Sequence, residues 1–193
     1  GAIGSQLTSR LMELGAMVIV VDNLSSGFIW NLPQEANNLL FIDGDVTVDK
    51  DLKRVFNEDP SIIFHLAAFF ANQNSVDYPE DDLMTNGFGT LKLLQYSSLY
   101  EGLSRFVYAS SGCSIYGNSE DFPLKEEDIS LNLSTPYQVT KMLGELYCNY
   151  FNKQYGLPTV KTRFFNSFGP GEVPGEYRNV IPNFIYWAKN SQK

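Results

Sequence analysis

The chain has 193 residues, 44% of them hydrophobic and 19% charged, enough to bury one core and too few for two comfortable domains. Fourteen Lys and Arg against 22 Asp and Glu leave a net charge of −8, which repels a phosphate backbone and argues against a nucleic-acid partner. Two cysteines (Cys113, Cys148) and one histidine (His65) make neither a disulfide framework nor a metal cluster, and no apolar run reaches the ~18–20 residues of a membrane helix, so a metal-free, cytoplasmic protein is expected.

The sequence opens on a glycine turn, GAIGSQL, with no strand ahead of it, and stops at WAKNSQK just after an amphipathic stretch, so a piece of a longer protein is expected. Residues 5–14 place Leu7, Leu11, Met12 and Leu14 near one helical face, and Gly15 follows where a C-terminal cap belongs. MVIVVDN (17–23) reads as a strand covered on both faces. Further strands are predicted at 39–44, 61–67, 105–110 and 158–165, and helices at 48–57, 79–100, 136–155 and 179–189. Short apolar strands alternating with helices imply right-handed βαβ crossovers, hence an α/β fold with a doubly wound parallel sheet. The longest irregular stretch is the acidic EDFPLKEEDISLN (120–132).

Two groups of residues carry chemistry. At one end, Gly1 and Gly4 open the first helix, whose N-terminal N–H groups suit a pyrophosphate. Asp22 ends the next strand eighteen residues after Gly4, where a carboxylate accepts hydrogen bonds from a ribose and repels a 2′-phosphate, favouring NAD over NADP. NLSSG, from Asn23 through Leu24, Ser25 and Ser26 to Gly27, offers small polar groups to an adenosine, and Asp45 can reach the adenine amine. At the other end, Tyr137 and Lys141 stand one turn apart on a helix starting near Thr135 and Pro136. An ammonium beside a phenol favours the phenolate, which predicts a tyrosine pKa lowered toward working pH and a general base. Ser110, Ser111 and Ser114 follow the fourth of these strands after the glycine turn, at the carboxyl edge where open α/β sheets bind ligands.

Taken together, GAIGS, VVDNLSSG, GDV, FHLAA, NGFGT, FVYASSGCSIYG, YQVTK, RFFNSFGPGE and NVIPNF resemble the extended short-chain dehydrogenase/reductase family, in its NAD-dependent nucleotide-sugar epimerase and dehydratase branch. The resemblance implies a Rossmann-like NAD-binding domain over residues 1–165 and the start of a substrate-binding region over 166–193. It makes Gly1, Ala2, Ile3 and Gly4 the pyrophosphate loop, Asp22, Asn23, Asp45 and Val46 adenosine contacts, and Leu66, Ala67 and Ala68 neighbours of the cofactor. Asn86 would fix nearby backbone, Phe165 and Asn166 would lie between nicotinamide and sugar diphosphate, and Asn183 would approach the diphosphate. His65 becomes a strand residue. Tyr137, Lys141 and a serine form the implied catalytic set, and the long helices at 79–100 and 136–155 resemble the pair that builds a homodimer in relatives.

Departures from the family pattern narrow the function. FVYASSGCSIYG is one residue longer before Tyr116 than the common form, so Ser110, Ser111 or Ser114 is open as the substrate contact, with Ser111 preferred for its separation from Tyr137. Gly112 and Cys113 stand where the similar 4,6-dehydratases carry an acidic pair, which disfavours water elimination, and Cys113 is expected to be merely packed. Arg163 and Arg178 are either anion partners or ordinary ion pairs. The resulting expectation is 4-epimerisation of a UDP-hexose or UDP-hexuronic acid through a transient 4-keto sugar. An NAD-dependent nucleotide-sugar dehydrogenase or reductase, and a non-catalytic nucleotide-binding subunit, are the competing readings.

Overall fold

The computed structural model describes residues 1–33, 36–117, 119 and 122–190. In chain order these form α1 (Ala2–Glu13), β1 (Val18–Asp22), a 3-10 turn (Ile29–Asn31), β2 (Leu39–Asp43), α2 (Asp49–Phe56), β3 (Ile62–His65) and α3 (Asn72–Asp77). There follow α4 (Pro79–Asp82), a π-helical stretch (Leu83–Gly89), α5 (Thr90–Ser98), β4 (Arg105–Ser111), α6 (Gly112–Tyr116), α7 (Pro136–Tyr155), β5 (Thr159–Phe164) and α8 (Val180–Lys189). Two compact units result, Gly1–Asp45 with Asn166–Lys193, and Val46–Phe165. Among the described residues every strand pairing is parallel, as expected of an α/β fold of this class.

In the first unit, α1 begins at Ala2 and not at residue 5, because the glycine turn itself enters the helix: the Ser5 N–H donates to Gly1 O at 3.0 Å. It stops at Gly15, which takes φ +85°, while the Ala16 N–H reaches back to Leu11 O at 3.0 Å. β1 and β2 pair from Val18↔Leu39 to Asp22↔Asp43, which leaves two carboxylates at one end of the sheet.

In the second unit, β4 is the central strand between β3 and β5. Phe106 and Tyr108 on it are fully buried and pack with Leu52, Ile63, Leu94, Cys148 and Phe151 into the main core. Helix α7 matches its predicted bounds because both ends are marked: the Thr135 hydroxyl accepts the Gln138 N–H at 3.3 Å, Pro136 opens the first turn, and Gly156 closes the last at φ +69°. The expected helix at 79–100 is instead α4, a π-helical stretch and α5 in succession. Gly89 in that stretch lies so close to its neighbour that an ideal Cβ there would stand 2.8 Å from Val46 Cγ2. The short helices α3 and α6 lack a periodic apolar face and were not predicted.

Candidate active site

In the first unit, the carboxyl end of β1 and the start of α1 form a polar cradle. Gly1 N lies 3.8 Å from Asp22 Oδ2. An ideal Cβ on buried Gly27 would stand 3.1 Å from that oxygen and 3.2 Å from Gly1 N, so any side chain at 27 would fill the space. Asp22 Oδ1 accepts the Leu24 N–H at 2.7 Å, and Leu24 takes a left-handed φ of 56°, rare for a residue with a branched side chain. The Asn23 Oδ1 accepts the Ser25 N–H at 3.0 Å, and its Nδ2 donates to Asp45 Oδ2 at 2.7 Å. Ser26 O accepts Arg178 Nη2 at 2.9 Å, so that guanidinium braces the loop. Helix α1 carries no capping side chain, and the first N–H groups of a helix, those of Ala2, Ile3 and Gly4 here, have no partner within it. Donors for an anion beside an acceptor for sugar hydroxyls are a set that fits a dinucleotide.

In the second unit, α7 presents Tyr137 and Lys141 from successive turns. Lys141 is 4% exposed, its Nζ donates to Ala109 O at 3.0 Å, and it lies 5.7 Å from the centre of the Tyr137 ring and 5.4 Å from that of Tyr108. Burial pushes its pKa down to about 8, against an opposing pull from the Asp82 carboxylate. The pKa of Tyr137 is not lowered, as the sequence reading anticipated, but pushed up to about 12. Burial is the main cause, with Cys113 and Asp82 adding to it, and the hydrogen bond from the Ser111 side chain opposing it. Desolvation of the phenolate therefore outweighs the Ser111 hydrogen bond that opposes it.

Among the three serines, Ser111 is the one whose hydroxyl meets Tyr137, and its Oγ is also 3.1 Å from Cys113 Sγ. Ser110 and Ser114 are buried, and their hydroxyls have no hydrogen-bond partner. Cys113 is exposed, contrary to the expectation of a packed thiol: it stands on the first turn of the short helix α6, with Asn72 Nδ2 4.0 Å from its sulfur. Gly112 before it is pressed against the Phe165 ring, 2.7 Å from where a Cβ would stand, and that ring stacks on Tyr116 at 5.9 Å.

The remaining predicted residues fall in both units. Asn86 is buried on the π-helical stretch, accepting the Phe69 N–H at 2.8 Å and donating to Phe69 O at 3.0 Å, so it clamps the chain just after Leu66, Ala67 and Ala68. Val46 packs against the Gly89 backbone. In the first unit, Asn166 is exposed and lines a shallow groove with Ser167, Phe168, Asn179 and Val180. Asn183 is engaged with backbone, accepting Gly175 N–H at 2.9 Å and donating to Gly175 O at 3.0 Å. Arg163 is an ion-pair residue: it grips Glu145 with two bonds of 2.9 Å and reaches Tyr116 Oη at 3.1 Å. His65 is a buried strand residue, its Nε2 2.8 Å from Thr90 Oγ1.

Several positioning groups went unnoticed in the sequence. Gln138 Nε2 donates to Cys113 O at 3.1 Å, and Ser75 Oγ accepts the Tyr137 N–H at 3.0 Å. The fully buried Asp82 accepts Thr140 Oγ1 and Asn86 Nδ2, each at 2.7 Å. The i, i+4 spacing of Asp82 and Asn86 was the available signal.

Residues 1–193 match the model of a family described as the NAD dependent epimerase/dehydratase family. A UDP-glucose 4-epimerase of Mycolicibacterium smegmatis is 36% identical over 187 residues, covering 95% of this chain and 59% of that protein. The structure of an epimerase from Methanothermobacter thermautotrophicus matches all of this chain with a TM-score of 0.96 at 60% identity, over 56% of its own length. A UDP-glucose 4-epimerase from Thermotoga maritima, solved with UDP-glucose, matches with a TM-score of 0.93 at 36% identity, over all of this chain and 62% of that one.

Proposed function

Because the chain belongs to the NAD-dependent epimerase/dehydratase family, we propose that the protein of which it is the matched part is a 4-epimerase of a UDP-linked hexose or hexuronic acid. The observation that carries this reading is the meeting of Ser111, Tyr137 and Lys141 at the end of β4 and the start of α7. The relatives named as 4-epimerases support the reaction type.

NAD is the cofactor, and when bound it supplies a hydride acceptor and donor with a positively charged ring. Ala2, Ile3 and Gly4 offer backbone donors to its pyrophosphate, and Asp22 selects it over a 2′-phosphorylated dinucleotide. Tyr137 takes the proton of the sugar hydroxyl at C4 and returns it to the oxygen of the 4-keto sugar. Ser111 donates a hydrogen bond to that same oxygen. The Lys141 ammonium, held by Ala109 O, favours the phenolate behind the ring. Without ligand, burial pushes the phenol's pKa up to about 12, so it keeps its proton at neutral pH and would act as a base only once the positive ring of the bound cofactor offsets that burial. Residues 1–165 serve as the NAD-binding domain and 166–193 as the start of the substrate region, where Asn166 and Asn183 meet the nucleotide sugar. Exposed apolar side chains along Leu83, Met84 and Phe88 and along Val139, Leu146 and Tyr150 support a homodimer through these helices. No helix among the described residues is long and apolar enough to cross a membrane.

The test is incubation of the whole protein with UDP-glucose and other UDP-hexoses, following C4 configuration by NMR and NADH by absorbance. Interconversion without NADH accumulation is the expected result; stoichiometric NADH would make the protein a dehydrogenase instead.

A further inference from the structure

We propose that Cys113 is a positioning residue: its thiol donates to Ser111 Oγ and so turns the single hydroxyl proton of that serine toward the reacting oxygen. The effect on turnover rests on the function proposed above for Ser111; the bond itself does not.

A serine hydroxyl has one proton to give and two lone pairs to receive. Where the proton points decides whether Ser111 helps or opposes the chemistry, because an oxygen that gains negative charge is stabilised by a donor and destabilised by a lone pair. The thiol stands directly against this hydroxyl, with Sγ 3.1 Å from Ser111 Oγ, short for a pair that includes sulfur. Oxygen is the better acceptor of the two atoms, and O–H the better donor. The pair is therefore used best when S–H donates to Oγ, which fills a lone pair of the serine and leaves its O–H for Tyr137 or a substrate oxygen.

The surroundings hold the thiol in this part. Gln138 Nε2 donates to Cys113 O at 3.1 Å, and Gln138 Oε1 accepts the Ser134 N–H at 2.7 Å, so this buried amide is fixed in orientation on the first turn of α7. Asn72 Nδ2 faces the sulfur at 4.0 Å with a donor, while Asn72 Oδ1 accepts Thr135 Oγ1 at 2.9 Å. Thr135 caps α7, and its oxygen accepts the Gln138 N–H at 3.3 Å, which leaves its own proton for Asn72. The donors then run in one direction: Thr135 to Asn72, Asn72 to Cys113, Cys113 to Ser111, and Ser111 to the reacting oxygen. Ser75 closes the group, accepting the Tyr137 N–H at 3.0 Å and donating to Asn72 O at 2.7 Å. The thiol and Tyr137 are thus held by one set of bonds joining α3, α6 and the start of α7. Cys113 is exposed, whereas Cys148 lies in the main core, so a small substitution at 113 removes the donor with little loss of packing.

The test is made on the whole protein in two ways. The S–H stretch of Cys113 is read by infrared spectroscopy, in a region where no other kind of protein group absorbs, and is identified by its loss in Cys113→Ser. The donated bond places this band at lower frequency in the wild type than in Ser111→Ala; a band at the same position in both overturns the proposal. Turnover of a UDP-hexose supplies the second reading. In Cys113→Ala kcat falls about three- to tenfold, the worth of one hydrogen bond, while KM changes less than about twofold and bound NAD and Tm stay as in the wild type. Cys113→Ser keeps a donor at that place and recovers most of the loss. In the Ser111→Ala background Cys113→Ala costs nothing further, because the thiol acts through the serine. An unchanged kcat in Cys113→Ala, or the same fall with and without Ser111, overturns the positioning role. A wild type that turns over no nucleotide sugar contradicts the proposed function instead, and the infrared shift then decides the thiol–serine bond by itself.

Discussion

The Lys141 ammonium lies 5.7 Å from the centre of the Tyr137 ring and donates to the Ala109 carbonyl at 3.0 Å, so the cation stands behind the phenol, fixed to the central strand. This arrangement ties the chemistry of α7 to the last residues of β4, and Ser111 at the end of that strand supplies the hydroxyl that meets Tyr137.

Asp22 is assigned the choice of dinucleotide. Asp22→Asn removes the charge proposed to hold ribose hydroxyls and repel a 2′-phosphate, so the Kd for NAD should rise about tenfold or more and the preference over NADP should narrow. Fluorescence titration of the whole protein with both dinucleotides measures it. An unaltered NAD/NADP ratio would remove Asp22 from the adenosine site.

Acid weakens the fold through His65. Its pKa is about 3 in the folded chain against 6.5 in the unfolded one, because burial penalises the imidazolium and Lys141 repels it. The unfolded state thus binds the extra proton between these values, and the stability present above pH 6.5 is lost as pH falls toward 3. At pH 5.5 the stability lost is on the order of 1 kcal/mol. Urea unfolding at pH 7.5 and 5.5 should show a drop of this order, and His65→Gln should flatten it. An equal drop in the variant would assign the acid sensitivity to other groups.

Gly144 is where α7 meets the central strand. A Cβ there would collide with the hydroxyl of the buried Tyr108, so Gly144→Ala should cost about 1–3 kcal/mol. Gly156→Ala meets no atom within 4 Å, but φ is +69°, and its cost should be about 1–2 kcal/mol from backbone strain alone. Thermal denaturation of both variants checks the order. A harmless Gly144→Ala would mean that Tyr108 can move aside.

How far the sequence foretold these features depends on whether the information is local. Helix α7 was legible to the residue because Thr135, Pro136 and Gly156 mark its ends by their own backbone chemistry. The parallel α/β class followed from alternation of apolar runs and amphipathic stretches. The choice among Ser110, Ser111 and Ser114 was only a preference, since residue spacing does not say which way each hydroxyl points at the end of β4; in the fold Ser111 alone of the three turns toward Tyr137. Spacing alone does not decide the role of Arg163, because its partner Glu145 lies on another element, 18 residues away. The bond between Asp82 and Thr140, 58 residues apart, left no trace in any window. The direction of the Tyr137 pKa departs from the sequence expectation for the same reason: a lysine four residues on is visible in the sequence, whereas the burial that raises the pKa is not.

The proton transfer assigned to Tyr137 is tested most directly by measuring, in whole-protein Tyr137→Phe, the NMR rate of C4 interconversion of a UDP-hexose that the wild type turns over, with bound NAD determined alongside. Interconversion should fall at least ~10³-fold with NAD content unchanged, because the phenyl ring keeps the packing and loses the proton. Turnover within a few-fold of the wild type, with NAD still bound, would contradict the assignment of Tyr137 as the acid and base.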